Sequence, residues 1–335
     1  MRAPGRLLAA ALAAAAASAA SAAADTPTVL ANVQSMTCAG ATCSLVAATS
    51  GGGTAPLRLA FYAPAIVRWW LAVDGNFSDT GTMGDVIVLN ASTSITVALA
   101  DRGDHYEVTS PASAVVARVQ KAPALLTLLV GGAVVAQEAA PLAWNSTSSW
   151  QTLARDVAAR PAGEHGAPPG LSSEYFFGGG MQNGRWSHRG ESITIGADYN
   201  WEDNGHPNSA PWYVSTAGVG VLRNTWAPGV YAFDAPVVTA HNESTRLDAF
   251  FLLATGGGGA PASPLKELLG LYTQLTGPPM LPPLYGLFLG DSDCYHNDRH
   301  GNSTRVAISV AQAYVDNDMP RGCVGAPPHG WVRTP

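Results

Sequence analysis

The chain has 335 residues, of which 47% are hydrophobic and 13% charged, with a net charge of −6 and no run of lysine or arginine. That length allows one large or two medium domains with a sizeable core, and the charge pattern offers no footprint for nucleic acid or an anionic membrane surface. Glycine at 36 and proline at 24 predict many turns and short strands rather than long helices.

Residues 1–24 stand apart. Arg2 and Arg6 precede an Ala/Leu stretch, and Ala22-Ala23-Ala24 offers a small-residue cleavage site before Asp25. This is the layout of a secretory signal peptide. The other reading is a membrane anchor, but alanine is only weakly apolar and Ser18 and Ser21 interrupt the stretch. A secreted chain starting at Asp25 is expected, with no other apolar run long enough to span a bilayer. Asn-x-Ser/Thr sequons at Asn76, Asn90, Asn145, Asn242 and Asn302 agree with that route. Cys38 and Cys43 enclose four residues, a loop that a hairpin disulfide can close in an oxidising compartment. Two buried free thiols are the alternative. Cys294 and Cys323 stay unassigned, and no Cys/His zinc spacing occurs.

From Thr26 to about Gly257 strand signals dominate. Ile66 to Val73 is an apolar, aromatic run closed by Asp74-Gly75, and Ile95 to Leu99 is another. Leu125–Val130, Gly131-Gly132 and Ala133–Ala136 read as a hairpin with a two-residue turn. Val219–Leu222 and Leu247–Leu253 continue the series. Many short strands at turn-sized spacing predict a β-sandwich. Residues 158–170 read as a connecting loop. After Gly256–Gly259, Ser263 as N-cap, Pro264 at the first position, and Leu265, Leu268, Leu269 and Tyr272 predict a helix stopping at Gly277. Leu284 to Leu289 is a short apolar run, a buried strand ending in Gly290-Asp291. Val306, Val310, Ala313 and Tyr314 mark a second helix. Strand, polar loop and helix open an α/β unit, of which the sequence shows one strand and one helix.

Phe177-Gly178-Gly179-Gly180 lacks the Gly-Lys-Ser/Thr of a phosphate loop and is expected to be a glycine-rich turn between strands. Asp291-x-Asp293 with Asn297 falls short of a calcium loop, because His296 stands where glycine is required and Asn302 where a carboxylate is. No metal or cofactor is expected. Trp201-Glu202-Asp203-Asn204-Gly205-His206 mixes the aromatic faces, carboxylates and amides that grip sugars. A solvated turn with Trp201 tucked into the core remains open. Asp291, Asp293 and Tyr295 follow the apolar strand. In a (β/α)8 barrel they would lie at the C-terminal face, where such barrels build active sites. Plain loop capping is the alternative.

The order of these segments resembles the N-terminal part of glycoside hydrolase family 31, the α-glucosidase and α-xylosidase family. The likeness runs from about Glu174 to Pro320, with a vaguer one back to Asn32. It rests on Phe177 to Gly184, Tyr199-Asn200-Trp201, Pro211 to Thr216, Arg223 to Gly229, Leu271 to Gly277, Leu281-Pro282-Pro283 and Gly290 to Tyr295.

The resemblance implies a mostly β fold: a galactose-mutarotase-like β-sandwich over 25–262, a linking helix and Pro-rich connection over 263–283, and an incomplete start of a (β/α)8 barrel over 284–335. It implies a retaining mechanism with two carboxylates roughly 5 Å apart. Both are expected beyond residue 335, so no catalytic residue is assigned here. It implies substrate-binding roles for Trp201, Glu202 and Asp203 in the loop 198–208, and for Asp291, Asp293 and Tyr295. The expected partner is an oligosaccharide or α-glycoside. The tail from Cys323 to Trp331 departs from the family's second barrel strand, as a frameshift or exon error would produce. The alternatives are a non-catalytic carbohydrate-binding sandwich and a non-functional truncated product.

Overall fold

The computed structural model describes residues 26–78, 86–92, 94–154, 174–184, 186–196, 205–233, 237–243, 245–256, 263–282, 290–292, 303–319, 323–326 and 330–332. The chain divides into two compact units, Met1–Gly277 and Pro278–Pro335.

In the first unit the chain begins with β1 (Thr28–Ala39), β2 (Thr42–Thr49), β3 (Thr54–Ala63), β4 (Ile66–Ala72), β5 (Ala98–Asp101) and β6 (His105–Thr109). There follow β7 (Val115–Lys121), β8 (Ala124–Val130), β9 (Ala133–Trp144), β10 (Ser149–Ala154), β11 (Phe176–Met181) and β12 (Ser192–Ile195). β13 (Asn208–Ser215), β14 (Val219–Arg223), β15 (Gly229–Ala232), β16 (Val237–His241), β17 (Arg246–Leu253) and α1 (Pro264–Thr276) complete it. Two antiparallel sheets result. One runs β5-β6-β7-β8-β9-β10-β16-β15-β12. The other runs β1-β2-β3-β4-β17-β14-β13-β11. β1 joins them, because its first two residues pair with β9.

The predicted β-sandwich is present, and strand alternation explains its core. Leu59, Trp69, Val221, Phe251 and Tyr213 of one sheet meet Val108, Leu128, Leu142 and Val237 of the other. β4 and β17 are buried along their whole length. Strands covered on both faces read as continuous apolar runs, which is how both appear in the sequence. The second cover is α1. Leu268 and Leu275 pack with Ile66, Leu222, Phe250 and Leu252 on the outer face of the sheet.

α1 starts at Pro264, as its sequence predicts, although Ser263 makes no side-chain cap bond. Glu267 ties the helix to the end of β17 instead: its carboxylate accepts from the Thr255 amide (2.7 Å), the Thr255 hydroxyl (2.9 Å) and the Gly256 amide (3.1 Å). Gly277 ends the helix at a φ of 85°, a value glycine adopts without steric cost. The β8–β9 hairpin turns on Gly131 and Gly132 as expected, with φ of 56° and 86°. The run at Ile95 differs from expectation: pairing begins only at Ala98, and Ile95 is buried in the core ahead of the strand.

The second unit holds β18 (Gly290–Ser292), α2 (Ser303–Asp316), β19 (Cys323–Ala326) and β20 (Gly330–Val332). β19 pairs parallel to β18 and antiparallel to β20. This corrects the reading of a lone strand and helix. Cys323-Val324-Gly325-Ala326 supplies a second parallel strand and closes the βαβ crossover. Two glycine-flanked residues and a following Pro-Pro hid a strand this short from periodicity.

Candidate functional site

The loop expected to contact sugar leaves the sandwich between β12 and β13. Trp201, Glu202 and Asp203 lie outside the described residues, but both ends of their loop are described. The Gly196 amide donates to Ser209 Oγ (2.7 Å), and His206 Nδ1 lies 2.5 Å from the Gly196 carbonyl oxygen. The two ends are thereby joined across residues 197–204. The Asn183 amide donates to the Gly205 carbonyl (2.9 Å), bringing the turn after β11 against the same stem. Gln182 Nε2 donates to the carbonyls of Gly179 (2.9 Å) and Thr194 (3.1 Å) and holds that turn to β12. Three residues beyond Asn183, the Trp186 side chain is 92% exposed.

The glycines before this turn serve close approach. They lie inside β11, not in a turn between strands, which corrects the sequence reading. Gly178, Gly179 and Gly180 have φ of 122°, 78° and 78°. A Cβ on Gly178 would stand 2.5 Å from the Trp212 carbonyl oxygen, and one on Gly180 2.3 Å from that of Asn208. The ladder between β11 and β13 shifts register at this point, as a bulge does. His188 fills the space beneath: it is buried, lies 2.9 Å through Nε2 from the Gly178 carbonyl oxygen, and stacks on Phe233.

In the second unit, Asp291 lies within β18, in register with Val324 of β19. The strand expected to end in Gly290-Asp291 thus includes Asp291 and runs one residue further, to Ser292; its apolar run Leu284–Leu289 lies outside the described residues. Asp293 and Tyr295 lie outside the described residues. No candidate metal cluster of three or more His, Cys, Asp or Glu occurs among the described residues.

Cys38 and Cys43 form a disulfide across the β1–β2 hairpin, where they are register partners. Asn76, Asn90 and Asn242 are exposed. Asn145 is half-buried, its Oδ1 accepting from the amides of Thr147 and Ser148. Asn302 lies outside the described residues.

Several polar residues in the sandwich were not singled out from the sequence. Glu138 is buried and accepts from Trp69 Nε1 (3.1 Å), Gln151 Nε2 (2.8 Å) and the Leu126 amide (2.7 Å). Burial pushes its pKa up to about 7, and the three donors only partly offset that. Burial, with the Arg223 charge nearby, holds His241 well below the ordinary histidine value. The usable signal was a charged residue interrupting an otherwise apolar strand.

The fold and this loop stem define the class: a two-sheet antiparallel sandwich with a clasped loop at one edge. No protein-family model matches the chain. It is 29% identical over 158 residues to α-glucosidase 2 of Bacillus thermoamyloliquefaciens, covering 44% of this chain and 18% of that protein. Its fold is similar to a glycoside hydrolase family 31 dextranase of Flavobacterium johnsoniae solved with glucose. The TM-score is 0.65 at 17% identity, over 87% of this chain and 33% of that one. It is also similar to the cycloalternan-forming enzyme of Listeria monocytogenes solved with a pentasaccharide substrate. Here the TM-score is 0.65 at 17% identity, over 88% and 26% of the two chains. The chain thus spans about a fifth of the curated relative and a third or less of these two structures. The chain is thus similar in sequence to an α-glucosidase over 158 residues and in fold to the N-terminal part of glycoside hydrolase family 31 structures.

Proposed function

We propose that this chain supplies the N-terminal sandwich and the opening of the catalytic barrel of a secreted retaining α-glycosidase. The sequence likeness to an α-glucosidase supports this reading. The observation that carries it furthest is the clasped stem, in which Gly196, His206, Ser209 and Asn183 fix both ends of the loop bearing Trp201, Glu202 and Asp203. A loop fixed at its base presents an aromatic face and carboxylates at little further entropic cost, and that combination suits a pyranose ring. Asp291, Asp293 and Tyr295 are proposed as substrate-binding residues of the second unit.

The bond-breaking pair is assigned to sequence outside residues 1–335. A retaining enzyme needs a nucleophile and a general acid/base roughly 5 Å apart across the glycosidic bond. The 335-residue chain alone then binds α-linked oligosaccharides without hydrolysing them. Calorimetric titration with isomaltotriose and maltotriose, alongside a nitrophenyl α-glucoside assay, tests this. Binding without turnover supports it, and turnover by the chain alone refutes the placement of the carboxylates.

A free-standing carbohydrate-binding sandwich is favoured by one observation, the nearly complete exposure of Trp186 beside the stem. On that reading Trp186→Ala abolishes binding while Trp201→Ala does not.

A further inference from the structure

Arg223 ends β14 and faces the interior of the sandwich, in the register row of Ala249 and Trp69. It is fully buried. Its Nη2 donates to the carbonyls of Ala227 (2.9 Å) and Pro228 (3.4 Å), while Nε and Nη1 have no well-formed hydrogen bond. A guanidinium does not discharge itself by losing a proton. A buried charge that no carboxylate meets in a direct ion pair is costly.

The facing sheet is built around this group. Gly229 is in register with His241, and Tyr231 with Thr239. Residues two apart on a strand share a face, so these four positions form the corners of a rectangle of roughly 5 by 7 Å. The Gly229 corner carries no side chain, and the guanidinium occupies it: a Cβ there would stand 2.5 Å from Arg223 Nη1. At the other three corners Thr239 Oγ1 and both ring nitrogens of His241 are buried without a hydrogen-bond partner, and Tyr231 Oη is buried with no well-formed one. The Tyr231 hydroxyl lies beside the guanidinium, close enough to interact with it electrostatically and by a weak hydrogen bond.

These atoms are donors: guanidinium N–H groups, two hydroxyls, and one imidazole N–H in either tautomer. Neither Glu243 nor the buried Glu138 makes a hydrogen bond to the guanidinium. Glu243 couples to Arg223 but accepts the Thr225 hydroxyl (2.9 Å). Glu138 is held by Trp69, Gln151 and Leu126. Water would satisfy the hydrogen bonds but bring no charge to the guanidinium, which Glu243 balances only without direct contact. We propose that the sandwich core binds a small monovalent anion of the halide class between Arg223, Tyr231, Thr239 and His241.

Thermal denaturation of the full chain in sodium chloride and in sodium gluconate at equal ionic strength tests this. The Tm rises with the logarithm of chloride, by roughly 5 °C once chloride exceeds its Kd about 100-fold. Tyr231→Phe and Arg223→Met shrink that increment. Crystals grown in sodium bromide give the readout that needs no variant. An anomalous peak within about 3.5 Å of Arg223 Nη1 and Thr239 Oγ1 supports the site. A Tm indifferent to the anion, or water or no density at that position in bromide, overturns it.

Discussion

Arg68 and Asp248 meet diagonally across the β4–β17 ladder, with Nε 2.8 Å from Oδ1 and Nη2 2.6 Å from Oδ2. Both are buried, on the face of the sheet that α1 covers. The fork is closed further: Arg68 Nη1 donates to the Tyr62 hydroxyl (2.7 Å), its guanidinium lies 3.6 Å from the Trp70 ring centroid, and Asn224 Nδ2 donates to Asp248 Oδ2 (2.9 Å). A two-bonded fork of this kind fixes the register of two central strands as well as balancing charge.

Removing one partner leaves the other charge buried and unpaired. Asp248→Ala and Arg68→Ala each lower stability by about 3–5 kcal/mol in urea denaturation. Arg68→Met combined with Asp248→Leu lowers it by much less than the sum of the single changes, because both charges go together. An additive double mutant would show that the pair is not coupled.

This pair also shows what could be read in advance. The apolar runs of β4 and β17 were legible, because strands buried on both faces leave long hydrophobic stretches. Arg68 and Asp248 each interrupt such a run, and their opposite signs could have suggested that the strands are neighbours. The role of the glycines in β11 was not legible, because it depends on how near Trp212 and Asn208 come from a strand 30 residues away. His206 was equally hidden: its partner is the backbone carbonyl of Gly196, which has no sequence signature. β19 was missed because four residues, one of them glycine, carry too little periodicity to register.

Glu138 makes stability depend on pH. Its carboxyl has a folded pKa of about 7 against an ordinary 4.5. Below pH 4.5 the carboxyl is protonated whether or not the chain is folded. Between 4.5 and 7 the folded protein retains a proton that the unfolded chain has released, so stability falls as pH rises through that window. The loss reaches about 3 kcal/mol above pH 7. Glu138→Gln stays neutral and removes this slope. It keeps an acceptor for Trp69 and Gln151 but sets an amide N–H against the Leu126 N–H, so its Tm at pH 5 is below that of the unsubstituted protein. Denaturation midpoints from pH 5 to pH 8 check both statements. An unchanged slope in the variant would assign the titration to another group.

Gly180 and Gly131 both adopt positive φ, but only one of them is crowded. A Cβ at Gly180 meets the Asn208 carbonyl oxygen at 2.3 Å and the Ala210 nitrogen at 2.5 Å, whereas at Gly131 nothing lies within 4 Å. Gly131→Asn therefore costs about 1 kcal/mol or less, since asparagine tolerates the left-handed region. Gly180→Ala forces β11 away from β13 and costs about 3 kcal/mol or more. Equal losses in guanidinium denaturation would mean that φ alone matters at these sites.

His206 offers a way to separate the loop from the scaffold that carries it. Its Nδ1 contact with the Gly196 carbonyl and the Ser209–Gly196 hydrogen bond are the links described between the two loop ends. His206→Ala frees the loop without opening the core, so Tm falls by only a few degrees. On the sugar-binding reading proposed above, binding weakens further, because a docking oligosaccharide must then fix the loop ends that the stem no longer holds. About a tenfold rise in Kd is expected on titration with isomaltotriose, with the binding entropy becoming more unfavourable. Ser209→Ala moves Kd in the same direction by a smaller factor. If both variants leave Kd unchanged while Trp201→Ala also leaves it unchanged, the loop does not contact the sugar. If only Trp201→Ala weakens binding, the loop makes the contact and its stem does not prepare it.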